Sequence, residues 1–485
     1  MATCASRAPL LGALWGDTSS RWTVVIRDDA GVLARLAAGQ CDGLLADCWL
    51  EPDDLLHFAL EAGAFPLMET LPDRRTRRSI PAALFGRVLL AGTLPDRRSL
   101  RAIGATVFNS AVLLDQLGVN FFHTRDGGPR TGDERPFDVE ALGDFLALLT
   151  REDYATHGQD LARWLRRQPV LAGDVWALDC VDVRIPRGRV GQRERAQVHH
   201  VKVAVLSVVT PHGALPLLWR FGTPAEGDTT LARALWDDVE ALWGKGACAT
   251  LLVDAGFLDG PWMAARHAEG TVVVTRLRED MDPCVAADAW LATQPAVAWA
   301  PAALPQRPAD KVSPRRREIA SLPEWPGWAP YGRDLALCVV RDTYADDKTD
   351  TWYLMSTDPT QAADAIYPTF RRRWHLEETF MALARYHHLN ALPGSRPGVA
   401  MGRLHVLFFA YSLRAICRAA ARDAAEAAGG RPWRRTTPRY VAYSGGAFAL
   451  LRPSQVVEVV VRHADVWAAR LDHILAAVRY CEGSD

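Results

Sequence analysis

The stretch Val175-Trp176-Ala177-Leu178-Asp179-Cys180-Val181-Asp182-Val183-Arg184-Ile185-Pro186 decides how this chain is read. Side chains alternate across a strand, so Val175, Ala177, Asp179, Val181, Val183 and Ile185 share one face. All of these but Asp179 are apolar. A carboxylate amid such a face is costly unless it is paired or holds a metal ion. Asp182 falls on the opposite face, so the two aspartates cannot point at one ion.

Outward from this strand, an arginine-rich loop leads to Val198–Val209, a second strand rich in β-branched residues. Pro211-His212-Gly213 is a turn, and Leu215–Phe221 is a third strand. The three are close enough in sequence to pair as an antiparallel meander. Asp228 has the chemistry of a helix N-cap, and Leu231, Leu235, Val239 and Leu242 follow at helical spacing. Thr250–Val253 is short and apolar, as a strand buried on both faces should be. A helix over Phe257–Ala268 and a fifth strand over Thr271–Leu277 complete the run. The order β-β-β-α-β-α-β predicts an α/β protein with a ribonuclease H-like mixed sheet core flanked by helices.

The remaining chain divides around that core. Residues 1–70 carry no sharp signal. Residues 71–170 read as mainly helical, with Ala82, Leu84, Val88 and Leu89 on one helix. Leu100, Ile103, Val107 and Val112 continue the pattern beyond Leu94-Pro95-Asp96; a polar loop spans 124–137. The core's first part occupies 171–277. Residues 278–358 gather prolines and tryptophans and read as a β-rich insertion. In it, Leu335–Arg341 and Thr351–Ser356 form a hairpin around Asp346-Asp347-Lys348. Residues 359–430 form the core's second part, with helices from about 360 to 390 and from 401 to 427. Pro368 must kink the first of these or mark its start. Residues 431–485 read as a helical C-terminal region, opening a helix at Pro453 with Val456, Val460 and Leu471 turned inward.

Composition narrows the class. With 49% hydrophobic and 23% charged residues, the 485-residue chain can bury a large core, which excludes wholesale disorder. Lys+Arg total 56 against 57 Asp+Glu, a balance that argues mildly against nucleic acid. The arginines are clustered, however: Arg74–Arg75, Arg77–Arg78, Arg187, Arg189, Arg193, Arg195, Arg315–Arg317, Arg371–Arg373, and Arg431, Arg434, Arg435. Such runs build local phosphate-binding surface on a neutral protein, or are simply solvated. The spacing of Cys41 and Cys48 suits neither a zinc knuckle nor a redox pair. The opening stretch with Leu10, Leu11 and Leu14 is too short for a signal peptide. Val406–Leu413, bounded by Arg403, His405 and Arg414, is too short to span a bilayer. A cytoplasmic protein without membrane contact is expected.

Three carboxylates stand at special places: Asp179 within its strand, Asp254 at the end of the fourth strand before Ala255-Gly256, and Glu377 on a helix after the insertion. Mg²⁺ takes oxygen ligands, and two such ions about 3.5–4 Å apart can serve both sides of a phosphodiester. Each acid also has a plainer reading. Asp179 could be an ordinary strand residue, Asp254 a helix cap, and Glu377 the partner of Arg373 four residues earlier. Around Glu377, the residues Phe370, Arg373, Glu377, Phe380 and Ala384 fall on one helical stripe. Arg371, Arg372 and Arg373 lie one turn from the acid, where they could hold a phosphate, or form the solvent face of an amphipathic helix.

These stretches resemble bacterial insertion-sequence transposases with a DDE triad, especially the insertion sequence 4 group. Ala177–Pro186 is similar to that family's first-aspartate strand and Leu251–Phe257 to its second. Val272–Leu277 resembles the strand that follows, with its arginine, and Phe370–Glu377 the tyrosine–arginine–glutamate–lysine helix. Phe370 replaces the tyrosine, and Ala384 stands where the family has lysine, with Arg385 about 100° away around the helix. Cys180 and Val181 replace the usual small residue and threonine. The resemblance implies a metal site at Asp179, Asp254 and Glu377 that takes two Mg²⁺ ions, or Mn²⁺. It implies DNA contacts from Arg371, Arg372, Arg373, Arg276 and Arg385. It also implies cleavage of element ends in double-stranded DNA, joining of 3′-hydroxyls to target DNA, and a homodimer at synapsis. Residues 71–170, with Arg74–Arg78, are the candidate end-recognition surface. A catalytically silent DNA-binding protein and a nuclease without strand transfer are the rival readings on the same fold.

Overall fold

The structure, a computed structural model, describes residues 26–40, 43–47, 55, 58–59, 62–76, 80–94, 99–109, 117, 138–186, 198–211, 213–294, 297–304, 313–387, 389, 396–427, 439–444 and 447–467. Arg77, Arg78, the arginines at 187–195 and 431–435, Cys41, Cys48 and the loop at 124–137 lie outside the described residues. The chain forms two units, Met1–Leu149 with Ile416–Asp485, and Thr150–Ala415.

The first unit begins with β1 (Ile26–Arg27), α1 (Asp29–Ala37) and β2 (Gly43–Asp47). Helices α2 (Ala64–Met68), α3 (Ala82–Thr93), α4 (Leu100–Asn109) and α5 (Val139–Ala147) follow; α3 and α4 carry the periodicity read at Ala82–Leu89 and Leu100–Val107, and Val112 lies outside the described residues. The C-terminal part adds β12 (Arg439–Ser444), β13 (Ala447–Leu451), α13 (Pro453–Arg462) and α14 (Ala464–Trp467). Helix α13 opens at Pro453, where a missing N–H costs nothing. Yet the region expected to be helical also contributes a hairpin, paired into the sheet order β1-β13-β12-β2. Val32 and Leu36 of α1 and Val456 and Val460 of α13 pack with Tyr440, Ala442, Ala449 and Leu451. Strands β1 and β2 join this hairpin from the other end of the chain, so no local pattern announces their pairing.

The second unit begins with α6 (Arg151–Arg166), capped by a reciprocal Thr150–Asp153 box. Strands β3 (Val175–Pro186), β4 (Val198–Thr210) and β5 (Gly213–Gly222) form the antiparallel meander. The β4–β5 turn places Gly213 at φ +127°, a conformation that strains any residue with a Cβ. Helix α7 (Asp228–Trp243) starts one residue earlier than an Asp228 cap would require; its N-cap is Gly227, and Asp228 binds Lys202 Nζ at 2.7 Å. Then come β6 (Thr250–Leu252), α8 (Gly260–Ala268) and β7 (Val272–Arg276). Strands β3, β6 and β7 run parallel.

The described residues of 278–358, read as a β-rich insertion, hold four strands and one helix that the reading did not include. They hold α9 (Asp282–Thr293), whose inward residues are Pro283, Cys284 and Ala287, too small and few to mark a helical stripe. Strands β8 (Ala300–Pro301), β9 (Arg316–Pro326), β10 (Asp334–Thr343) and β11 (Thr349–Ser356) follow. Strand β11 pairs with β7, so these strands extend the core sheet itself. Among the described residues the sheet has nine strands in the order β5-β4-β3-β6-β7-β11-β10-β9-β8, part parallel and part antiparallel. Helices α10 (Ala363–Arg371) and α11 (Trp374–Tyr386) replace the single helix expected over 360–390. Pro368 lies inside α10, and the chain breaks at Arg372–Arg373, so Phe370 and Glu377 belong to different helices. Ile366, Tyr367 and Leu376 of these helices cover Ala177, Leu252, Val274, Ile319, Val340 and Leu354 on one sheet face.

Helix α12 (Pro397–Ala427) is longer than expected, and its stretch Pro397–Ala420 is long and apolar enough, by length and composition, to cross a membrane. That stretch is mostly buried inside the protein, with Arg403 and His405 among the buried side chains. His405 Nδ1 accepts from Trp219 Nε1 at 2.9 Å, while its Nε2 lies 2.6 Å from His157 Nδ1. An indole N–H only donates, so a neutral His405 carries its proton on Nε2 and donates it to His157. Burial, and next the neighbouring His157, hold His405 well below the usual imidazole range.

Candidate functional site

Sheet register brings the two aspartates together. Ala177 pairs with Leu252, and Leu252 with Val274. Two residues further along each strand stand Asp179, Asp254 and Arg276, with Arg276 opposite Leu354 of β11. Alternation keeps them on the face that carries Ala177, Leu252 and Val274, where parallel strands lie about 4.8 Å apart. Asp182 has the opposite parity and lies on the side of Cys180, whose Sγ is 3.8 Å from the Asp228 carbonyl. The proposed cap role of Asp254 is not realised: its side chain bonds no N–H of the following turn. Asp259 caps α8 instead, accepting from Trp262 N at 3.1 Å.

Helix α11 carries the third acid over this row. Arg373 pairs with Glu377 and at the same time lies 3.7 Å from Asp179 Oδ2. The Glu377–Arg373 pairing therefore exists, and it extends to the first strand aspartate, which helical spacing could not reveal. Burial pushes the Asp179 carboxyl up to about 6; Arg373 and the Cys180 N–H at 2.8 Å oppose this, and the charges of Asp254 and Glu377 reinforce it. The three acids thus share one electrostatic neighbourhood with a single guanidinium between two of them.

The arginines divide between protein and solvent. Arg372 donates to the Val209 carbonyl at 3.0 Å, and Arg371 to the Ala303 carbonyl at 3.4 Å. Arg276 is 48% exposed beside Glu279, and its guanidinium lies 5.5 Å from the Trp352 ring centre. Arg385 is exposed at the end of α11, against the Tyr386 ring. Arg75 turns inward to Asp73 and the Ile80 carbonyl, which removes it from the phosphate-contact surface expected at Arg74–Arg78. Arg317 is also internal, paired with Asp342 beneath Trp352 and Tyr367.

Sequence reasoning passed over Thr379, which is 2% exposed and donates to the Ala214 carbonyl at 2.8 Å. Its signal was a threonine on the apolar stripe of Leu376 and Leu383, two residues after the acid. A cleft of about 480 Å³, lined by Asp259, Arg278, Asp282 and Trp328 among others, lies in the loops beyond β6 and β7 and includes none of the three acids.

Carboxylate oxygens are the donors that hard cations such as Mg²⁺ and Mn²⁺ take. Among the described residues, no group of three His, Cys, Asp or Glu side chains stands close enough to hold one ion together. With Arg373 between Asp179 and Glu377, the donor chemistry fits such an ion while the spacing is that of an ion-pair network.

The fold is a mixed α/β sheet protein in which Asp179 and Asp254 share a register row at parallel strand ends and Glu377 is joined to Asp179 through Arg373. No family model matches the chain, and no curated protein matches it. Among solved structures, the chain is similar to piggyBac transposase in a synaptic complex with hairpin DNA. The TM-score is 0.39 and the identity 10%, over 91% of this chain and 88% of that one.

Proposed function

We propose that this protein is a DNA transposase of the DDE type on a ribonuclease H-like core, with Asp179, Asp254 and Glu377 as its metal-binding acids. One observation carries the reading: Asp179 and Asp254 share a register row and a face, and Glu377 reaches Asp179 through Arg373. The strand order β5-β4-β3-β6-β7 and the motifs resembling the insertion sequence 4 group support it. Asp179 and Asp254 would hold one side of a two-ion Mg²⁺ or Mn²⁺ site, and Glu377 would close it as Arg373 exchanges the acids for DNA phosphate. Two such ions supply activation of a water or 3′-hydroxyl and stabilisation of the leaving oxygen. The chain's own part is to position phosphate and neutralise its charge, with Arg276, Arg371 and Arg385 along the strand and Arg372 bracing the helix. Element ends and target are double-stranded DNA, and synapsis brings two copies together.

The Arg373 bridge favours a second reading, a catalytically silent DNA-binding protein whose acids are neutralised internally. Labelled linear DNA carrying candidate ends, incubated with Mg²⁺ or Mn²⁺, separates the two. Transposition requires metal-dependent cleavage and joined products that vanish in Asp254→Asn. Cleavage unaffected by that substitution excludes this site, and cleaved ends that never join leave a nuclease.

A further inference from the structure

Glu377 is 33% exposed and lies in the first turn of α11. Two side chains on α11 and the turn before it touch the sheet backbone on either side of Glu377. Arg372 Nη2 donates to the Val209 carbonyl at 3.0 Å, and Thr379 Oγ1 donates to the Ala214 carbonyl at 2.8 Å. Val209 and Ala214 are register partners in the β4–β5 hairpin. The two donors are roughly two helical turns apart. They therefore grip a single cross-strand pair from both ends of the segment that carries the acid.

The acceptors are ones the sheet leaves available. Among the described residues strand β5 is a sheet edge, so part of its backbone has no strand neighbour there. Two residues on, Ser412 of α12 donates to the Pro216 carbonyl at 2.7 Å, in the same outward direction as Ala214. Val209 lies one residue beyond the last β4 residue paired to β3. Thr379 also departs from the habit of helical threonines, which bond the carbonyl one turn back in their own helix. Its hydroxyl is spent across the interface instead, and β-branching gives the helix no compensating advantage. One such bond lets a short helix pivot; two, at separate points, fix both its rotation and its axial position.

We propose that Arg372 and Thr379 are positioning residues that lock the Glu377 helix onto the β4–β5 hairpin and so set where the Glu377 carboxylate stands relative to Asp179. The consequence for metal binding rests on the function proposed above; the clamp itself does not. The test uses the full-length protein with Thr379→Val, which keeps the shape and loses the donor, and Thr379→Ser, which keeps the donor. Hydrogen exchange over Trp374–Tyr386, followed by mass spectrometry, reads the clamp, and calorimetric titration with Mn²⁺ alone reads the acid site. In Thr379→Val, exchange in that segment should quicken about fivefold. Mn²⁺ affinity should fall about tenfold, as for other residues that orient a ligand. Thr379→Ser should restore both. Arg372→Met should act in the same direction and replaces Thr379→Val should that variant fail to fold. Unchanged exchange overturns the clamp. Quickened exchange without loss of Mn²⁺ affinity, or no rescue by serine, overturns the positioning role. Wild-type protein that takes up no Mn²⁺ overturns the metal reading alone, and exchange then decides the clamp.

Discussion

Arg373 lies 3.7 Å from the Asp179 carboxylate while pairing with Glu377 one helical turn away, so one guanidinium ties the strand acid to the helix acid. Its side chain is only 13% exposed, and the two acids are 23% and 33% exposed, so solvent screens the arrangement incompletely.

Replacing Arg373 by glutamine removes the cation and leaves neighbouring carboxylates facing each other. The variant should lose about 1–3 kcal/mol of stability in chelator, less than a fully buried pair because Glu377 is partly solvated. Excess Mn²⁺ should return more stability to Arg373→Gln than to wild type, because an ion bound only by the folded state takes over the charge. Thermal unfolding with and without Mn²⁺ checks this; equal shifts in the two proteins would refute it.

Asp254→Asn should separate chemistry from folding. The Asp254 charge raises the cost of ionising Asp179, so its removal relieves repulsion. The melting temperature should hold or rise slightly, and DNA binding should persist. Metal-dependent cleavage should drop by about 100-fold or more. Gel-shift and cleavage assays on one preparation give both numbers.

The His157–His405–Trp219 chain should make stability depend on pH. His405 has a folded-state pKa below its unfolded value, so below about pH 6.5 the unfolded chain binds the extra proton. The stabilisation is complete above about pH 6.5 and is lost as pH falls, by up to about 1.4 kcal/mol per pH unit. Urea unfolding at about pH 7.5 and pH 5.5 measures the slope. His405→Gln retains a donor and an acceptor without titrating and should flatten it.

The Arg317–Asp342 pair, 5% and 4% exposed, holds β9 to β10 beneath Trp352 and Tyr367. Asp342→Ala leaves a buried arginine without its carboxylate and should cost about 3–5 kcal/mol. The double substitution Arg317→Met, Asp342→Leu should cost less than that single change. Denaturant unfolding of the wild type, Arg317→Met, Asp342→Leu and the double variant gives the coupling, and simple additivity would refute it.

Much of this architecture was legible along the chain. Alternation in Val175–Pro186, the apolar run Thr250–Leu252 and the helical spacing from Leu231 to Val239 locate their elements within a few residues. Less local features were not. Helix α9 escaped notice because its buried residues are Pro283, Cys284 and Ala287. The break at Arg372–Arg373 escaped because both flanking segments share one helical period, and Pro368, the visible irregularity, lies inside α10.

Alternation along Val175–Pro186 already puts Asp179 and Asp182 on opposite faces, because it follows from strand geometry that neighbours do not alter. The pairing of β11 with β7, the approach of Arg373 to Asp179 and the bond from Thr379 to Ala214 emerge from long-range packing. Those contacts join residues far apart in the chain. Their partners are chosen by which edges and faces remain to be covered once the local elements have formed.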